Sequence, residues 1–135
     1  MSQQNVEIAK RVVAALNQRD IDFFMQATTS DFEWFPALSA VEGEVFRGRE
    51  GIDTYWGRLD EAWEDYRLVA DEYRDLGDTV LILGRMVGRG RGSGVPVETP
   101  MGTLGDYRDG KCSRIRAYLD HGETLRAAGL PEESE

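Results

Sequence analysis

A few places in this 135-residue chain carry side chains able to do chemistry. Arg85 stands within TVLILGRMVGR, an otherwise apolar run. Turned inward, it would grip a carboxylate or an enolate, because a buried guanidinium must be paired. Turned outward, it makes a rim salt bridge or touches a second copy. Alternation does not choose, since both faces of this run are apolar. Asp120-His121 sets an acid beside a base, but neighbours at a strand end point to different sides, so no shared proton is expected. Asp120 is better placed to cap the helix that follows. Cys112 is the single cysteine and His121 the single histidine. That is a poor ligand set, so no metal and no cofactor is expected, and Cys112 is read as a packed small hydrophobe. GRGRGSG lacks the Lys-Ser/Thr and the following helix of a phosphate loop, and reads as a flexible hairpin.

The elements that must hold these residues follow from periodicity. Val6, Ala9, Val13 and Leu16 recur at helical spacing, which predicts a helix over 3–17. Asp20 can cap a second helix holding Phe23, Phe24 and Ala27, ending near Thr28. Residues 31–35 alternate as a strand, and 36–44 form a loop opened by Pro36. Val45-Phe46 is a short extended piece. A third helix starts at Gly48, with Ile52, Tyr55, Trp56, Leu59, Trp63 and Tyr66 as its apolar stripe. Strands follow over 67–74, 79–89 and 95–107, and a last one begins at Lys111. A short C-terminal helix completes the order.

In the last strand Ser113, Ile115, Ala117 and Leu119 fall on one face, and Cys112, Arg114, Arg116, Tyr118 and Asp120 on the other. If 108–110 is a three-residue loop ending in Gly, Tyr107 faces Lys111, Thr103 faces Ile115, Met101 faces Ala117 and Thr99 faces Leu119, all on the dry face. Leu104, Arg114, Arg116 and Tyr118 then lie on the opposite face with Glu98 and Asp106. Tyr and Arg are types enriched at interfaces, so this face is expected to meet a second copy of the chain. Helices run first and strands follow, which indicates an α+β domain with an antiparallel sheet, three helices covering one face.

Length allows one domain over 1–135. The net charge is −9, with the excess acid within residues 1–78. Phosphate contacts need clustered Lys and Arg, so neither nucleic acid nor membrane is expected as a partner. The opening MSQQNVEIAK lacks the layout of a signal peptide, and a cytoplasmic location is expected.

VVAALNQRDIDFF, DFEW, FRGREGI, GDTVLILGRMVGRGRGSG, YRDGK and RAYLD…LRAAGL occur in an order that resembles the NTF2-like superfamily, and within it the SnoaL-like group. The resemblance implies a cone: helices wrapped round a curved antiparallel sheet, a pocket between them, and dimerisation through the outer face. It also allows a residue-by-residue check. The ketosteroid isomerase tyrosine, general base and second acid would fall at Val12, Pro36 and near Thr103. The epoxide hydrolase set would keep Arg85 but meet Val87, Ala117, Trp34 and Pro36 elsewhere. Val, Pro and Ala cannot move protons. SnoaL-type cyclases also need a pocket acid, and the inward positions of the last two strands offer none.

The expectation is therefore a small-molecule-binding protein with an apolar, aromatic pocket formed by Trp34, Tyr55, Met101, Ile115 and Ala117, with Arg85 added through its family position. Its ligand is a small organic molecule, an anion if Arg85 faces inward. The alternative is a cyclase-, isomerase- or hydratase-like enzyme acting on a small cyclic substrate.

Overall fold

The computed structural model describes residues 2–37 and 43–131, so most of the loop expected over 36–44 lies outside the described residues. Helix α1 (Ser2–Gln18) is followed by α2 (Ile21–Gln26), whose start is capped by Asp20 accepting the Phe23 amide at 3.1 Å. Strand β1 (Thr28–Phe35) and the short β2 (Phe46–Arg47) precede α3 (Gly48–Ala62). Then come β3 (Trp63–Asp75), β4 (Thr79–Gly90), β5 (Pro96–Arg108) and β6 (Lys111–Tyr118). Helix α4 (His121–Ala127) closes the order, with Asp120 accepting the Gly122 amide at 2.9 Å.

The six strands form one sheet in the order β2-β1-β6-β5-β4-β3. Three parts of the expected architecture are corrected. The sheet is mixed, because β1 runs parallel to β6, pairing Trp34 with Ile115 and Phe35 with Arg116. It is also open, with β2 and β3 as free edges, and not a closed cone. Only α1 and α2 precede the sheet; α3 enters after β1 and β2. The physical reason is topological. Local periodicity reports which residues alternate, but the parallel β1–β6 contact joins strands distant in sequence, as in Trp34 with Ile115.

The third helix also ends earlier than its stripe suggested. Trp63 is already extended, at φ −132° and ψ 148°, and Trp63 and Tyr66 belong to β3. A bulge between Glu64 and Arg67 returns the two rings to one side, with centroids 6.2 Å apart. An i, i+3 spacing over a bulged strand thus imitates helical spacing.

The β5–β6 turn differs too. Asp109 and Gly110 both take positive φ (53° and 79°), giving a two-residue hairpin in which Arg108 faces Lys111. Such a turn matches the twist of paired strands. A register shift beyond Tyr107 then restores parity, so that Thr103 faces Ala117 and Gly105 faces Ile115. The dry-face assignment survives at Thr103, Ile115 and Ala117, whose pairings are displaced by two residues, but it is corrected at Cys112, which the shift sets opposite Tyr107 in the core and not on the outer face.

Alternation along β4 splits the interior in two. Val80, Ile82 and Met86 join the main core with Phe24, Phe32 and Trp56 beneath α1, α2 and α3. Leu81 and Leu83 turn to the other face and pack with Leu104 and Leu125 of α4. α4 lies directly on β5: a Cβ on Gly102 would come within 2.2 Å of Thr124 Oγ1. Among the described residues, no helix is long and apolar enough to cross a membrane.

The β3 edge is closed by one side chain. Asn17 Nδ2 donates to the Leu68 carbonyl and Asn17 Oδ1 accepts the Leu68 amide, each at 2.9 Å. It fills the place of a strand partner on an edge that would otherwise offer unpaired groups. Asn17→Ala should cost about 1–3 kcal/mol, because both partly buried backbone groups lose their partner. Urea unfolding measures this, and a loss below about 0.5 kcal/mol would mean that water replaces the amide fully.

Candidate functional site

The space between the helices and the sheet closes into an apolar cavity of about 40 Å³. Helix α1 presents Ala9, Val12, Val13 and Leu16 to it, the face set by its helical period. Helix α3 presents Ile52, Tyr55 and Trp56, and α2 presents Phe24. The sheet supplies alternate residues: Thr103, Gly105 and Tyr107 from β5, Val80 and Ile82 from β4, and Trp34 and Ile115 from the parallel pair. A cavity this size is well below the roughly 300–1,000 Å³ of drug-sized sites, so the guest it suits is small.

Aromatic rings make up much of the wall. Trp34 and Tyr55 lie with centroids 5.4 Å apart, Phe46 and Tyr55 5.1 Å apart, and Phe24 meets Trp56 edge-on at 5.1 Å. The Trp34 indole N–H is sheltered from solvent and acts on the Tyr55 hydroxyl beside it, without reaching full hydrogen-bond geometry. A buried, incompletely satisfied donor costs free energy that an acceptor placed beside it would recover.

Among the described residues, the lining contains no carboxylate, histidine, lysine or arginine; its titratable groups are the phenols of Tyr55 and Tyr107. Burial pushes both far above the ordinary phenol value of 10.0, with the neighbouring Tyr66 adding to the rise at Tyr55 and Cys112 to that at Tyr107. Burial raises Tyr66 and Tyr73 as well. At neutral pH these groups are proton donors and not bases. Raised phenols stabilise the fold fully below the unfolded value, near pH 10, and that contribution is lost as pH climbs toward the folded values. Stability should therefore fall above about pH 10. Near-ultraviolet phenolate absorbance should show most tyrosines ionising only as the chain unfolds; early, reversible ionisation in the folded protein would contradict this.

The expected site residues separate into groups. Trp34, Tyr55 and Ile115 line the cavity. Met101 and Ala117 are buried but stand outside its lining. Arg85 lies on the Leu81–Leu83 side of β4, where it pairs with Asp71 at 3.2 Å and Glu98 at 3.1 Å and keeps 40% of its side chain exposed. Asp71 occupies the second β3 bulge, between Ala70 and Glu72, which aims its carboxylate at this arginine. The inward-cation expectation is thus corrected: the guanidinium finds its acids on the outer face. Leu104 is 1% exposed, packed against Leu125. Arg114 pairs with Asp106 at 2.6 Å, and Tyr118 leans on the Leu104 cluster. Arg116 Nε is sheltered and lacks a hydrogen-bond partner. Cys112 is fully buried, and burial pushes its thiol up to about 12. Asp120 and His121 do not act together: His121 Nε2 meets the Gly84 carbonyl at 2.7 Å while Asp120 caps α4.

Val12 and Thr103, which the sequence did not place in the pocket, do line the cavity. They are two of the positions where the isomerase resemblance would place its acids, so these substitutions sit at the site itself. Tyr107 also lines it, and its dry-face parity was the available signal. Among the described residues, no group of three or more His, Cys, Asp or Glu side chains could hold a metal ion.

Solved structures share this fold across nearly the whole chain. A hypothetical protein with a ketosteroid isomerase-like fold from Catenulispora acidiphila, solved in complex with trimethylamine, is 23% identical, with a TM-score of 0.73 over 96% of this chain and 97% of its own. TerC, co-crystallised with polyporic acid, is 23% identical, with a TM-score of 0.76 over 96% and 99%. An NTF2-like protein of unknown function from Burkholderia pseudomallei is 18% identical, with a TM-score of 0.77 over 91% and 95%. No functionally curated protein matches the sequence. Residues 9–115 match the SnoaL-like domain, and the chain belongs to the SnoaL-like family.

Proposed function

We propose that the protein binds a small, uncharged and mainly apolar organic molecule in the cavity between α1, α3 and the sheet. One observation carries this reading: the lining is apolar and aromatic, with no charged side chain in it. A buried ion without a partner costs several kcal/mol, whereas apolar contact on every side favours a neutral guest. The Trp34 N–H, incompletely satisfied beside the Tyr55 hydroxyl, supports a guest that carries one acceptor, such as a carbonyl or ether oxygen. The trimethylamine complex of a similar fold supports the small size. Ligand-observed NMR tests the proposal with toluene, cyclohexanone and benzoate. The neutral pair should bind and benzoate should not. Benzoate binding that is lost in Arg85→Met would overturn it.

The enzyme reading is weaker, because proton transfer needs a titratable group in reach and the lining offers phenols held neutral. Neither steroid isomerisation nor epoxide hydrolysis is expected.

We also propose that the outer face meets a second copy of the chain through Arg116 and Tyr118. The half-buried Arg116 and Tyr118 support this, since both stand on the outer face and Arg and Tyr are types enriched at interfaces. Arg116→Glu should give a monomer by light scattering where the wild type is a dimer. Leu104 is a poor probe, because it is core beneath α4. A monomeric wild type would refute the pairing.

A further inference from the structure

We infer that Tyr107 is the end wall of the cavity and sets the length of ligand it accepts. This rests on the binding reading above and adds to it the shape of the guest. Tyr107 lines two spaces at once. On one side is the enclosed apolar cavity, and on the other an open surface hollow of about 520 Å³ bordered by Asn5, Gly77, Asp78 and Asp109. The ring that separates them is 7% exposed.

Its position is fixed from three directions. Its own amide donates to the Asp78 carbonyl at 2.7 Å, which ties the end of β5 to the turn before β4. Asn5 Nδ2 donates to the Gly77 carbonyl at 3.1 Å, which ties α1 to the same turn. The ring lies back along its own strand over Gly105, where an added Cβ would sit 3.3 Å from Tyr107 Cε1. Gly105 therefore leaves the space that the ring occupies, and the ring stops the cavity short of the surface. The guest that fits is compact, a ring or a branched skeleton. A straight chain long enough to reach past Thr103 and Gly105 meets the face of Tyr107.

The test is a homologous series of neutral 2-alkanones, from butanone to decanone, titrated by calorimetry into the wild type, Tyr107→Phe and Tyr107→Ala. Each added methylene should raise affinity about fourfold while it finds apolar wall. In the wild type and in Tyr107→Phe the rise should stop at one chain length and then reverse. In Tyr107→Ala it should continue, so that the longest ketones bind at least about tenfold tighter than to the wild type. Should Tyr107→Ala not fold by circular dichroism, Tyr107→Leu keeps apolar bulk and must move the same cut-off to longer chains. An identical cut-off in all variants, or a wild type whose affinity climbs through the whole series, overturns the inference while leaving the binding reading intact. Failure of every ketone to bind any of these proteins overturns the binding reading itself.

Discussion

Ala9→Leu should abolish binding of small neutral ligands while leaving the protein folded. Ala9 is 2% exposed and faces the cavity from the middle of α1. Three added carbons enter a space of about 40 Å³, which is the space a guest would use. Affinity should drop by about a hundredfold or more, corresponding to about 2.7 kcal/mol. Filling a void restores contacts that its lining atoms lack, and overpacking removes them, so the two effects on stability oppose each other. The net change in unfolding free energy should stay within about 1.5 kcal/mol. Calorimetry with cyclohexanone and urea unfolding measure the two quantities on the same sample. Unchanged affinity in a folded Ala9→Leu variant would place binding elsewhere and remove the cavity from the functional account.

How far the sequence leads to this cavity depends on which physical signal each residue gives. The faces were legible. Ala9, Val13 and Leu16 share a helical stripe, and Trp34, Tyr55 and Ile115 were assigned to the wall from parity and aromatic bulk. Both acidic caps were legible as well, because Asp20 and Asp120 immediately precede helices. The register was not. A two-residue slip keeps each side chain on its face, so alternation cannot detect it. It took the positive φ at Asp109 and Gly110, with a compensating bulge, to set the pairing.

Arg85 was undecidable for a different reason. Val80, Leu81, Ile82 and Leu83 are all buried, one pair under α1–α3 and the other under α4, so β4 is apolar on both faces. The missing information was that a seven-residue helix returns to cover the second face. Asp71 is equally invisible in the sequence, because only a bulge in β3 aims it at Arg85. The mixed sheet follows the same pattern. Nothing local in Thr28–Phe35 says that its partner is β6 and that the two run parallel.

Gly84→Ala should be the most destabilising single-methyl change in the sheet. Residue 84 is where three features converge. It pairs with Ala70 on β3 beside the second bulge, and with Met101 on β5. A Cβ built on it would lie 2.0 Å from the Val69 carbonyl oxygen and 3.0 Å from Ala70 Cα. Both are backbone atoms, so no side-chain rotation relieves the clash. Its carbonyl also meets His121 Nε2 at 2.7 Å, the contact that fastens the start of α4 to the outer face. To admit the methyl, β3 must move away from β4, the bulge that presents Asp71 to Arg85 must reshape, and the His121 contact must lengthen. Overpacking against a flexible neighbour costs about 1–3 kcal/mol, and rigid backbone places this case above that range, at about 3–5 kcal/mol. That is a large share of the roughly 5–15 kcal/mol that keeps a domain folded. His121→Ala separates the parts: it removes only the α4 fastening and should cost about 1–2 kcal/mol. Urea unfolding of the two variants provides the comparison. A Gly84→Ala cost no larger than that of His121→Ala would mean that β3 yields freely, and that the bulge is not held by the close approach at Gly84.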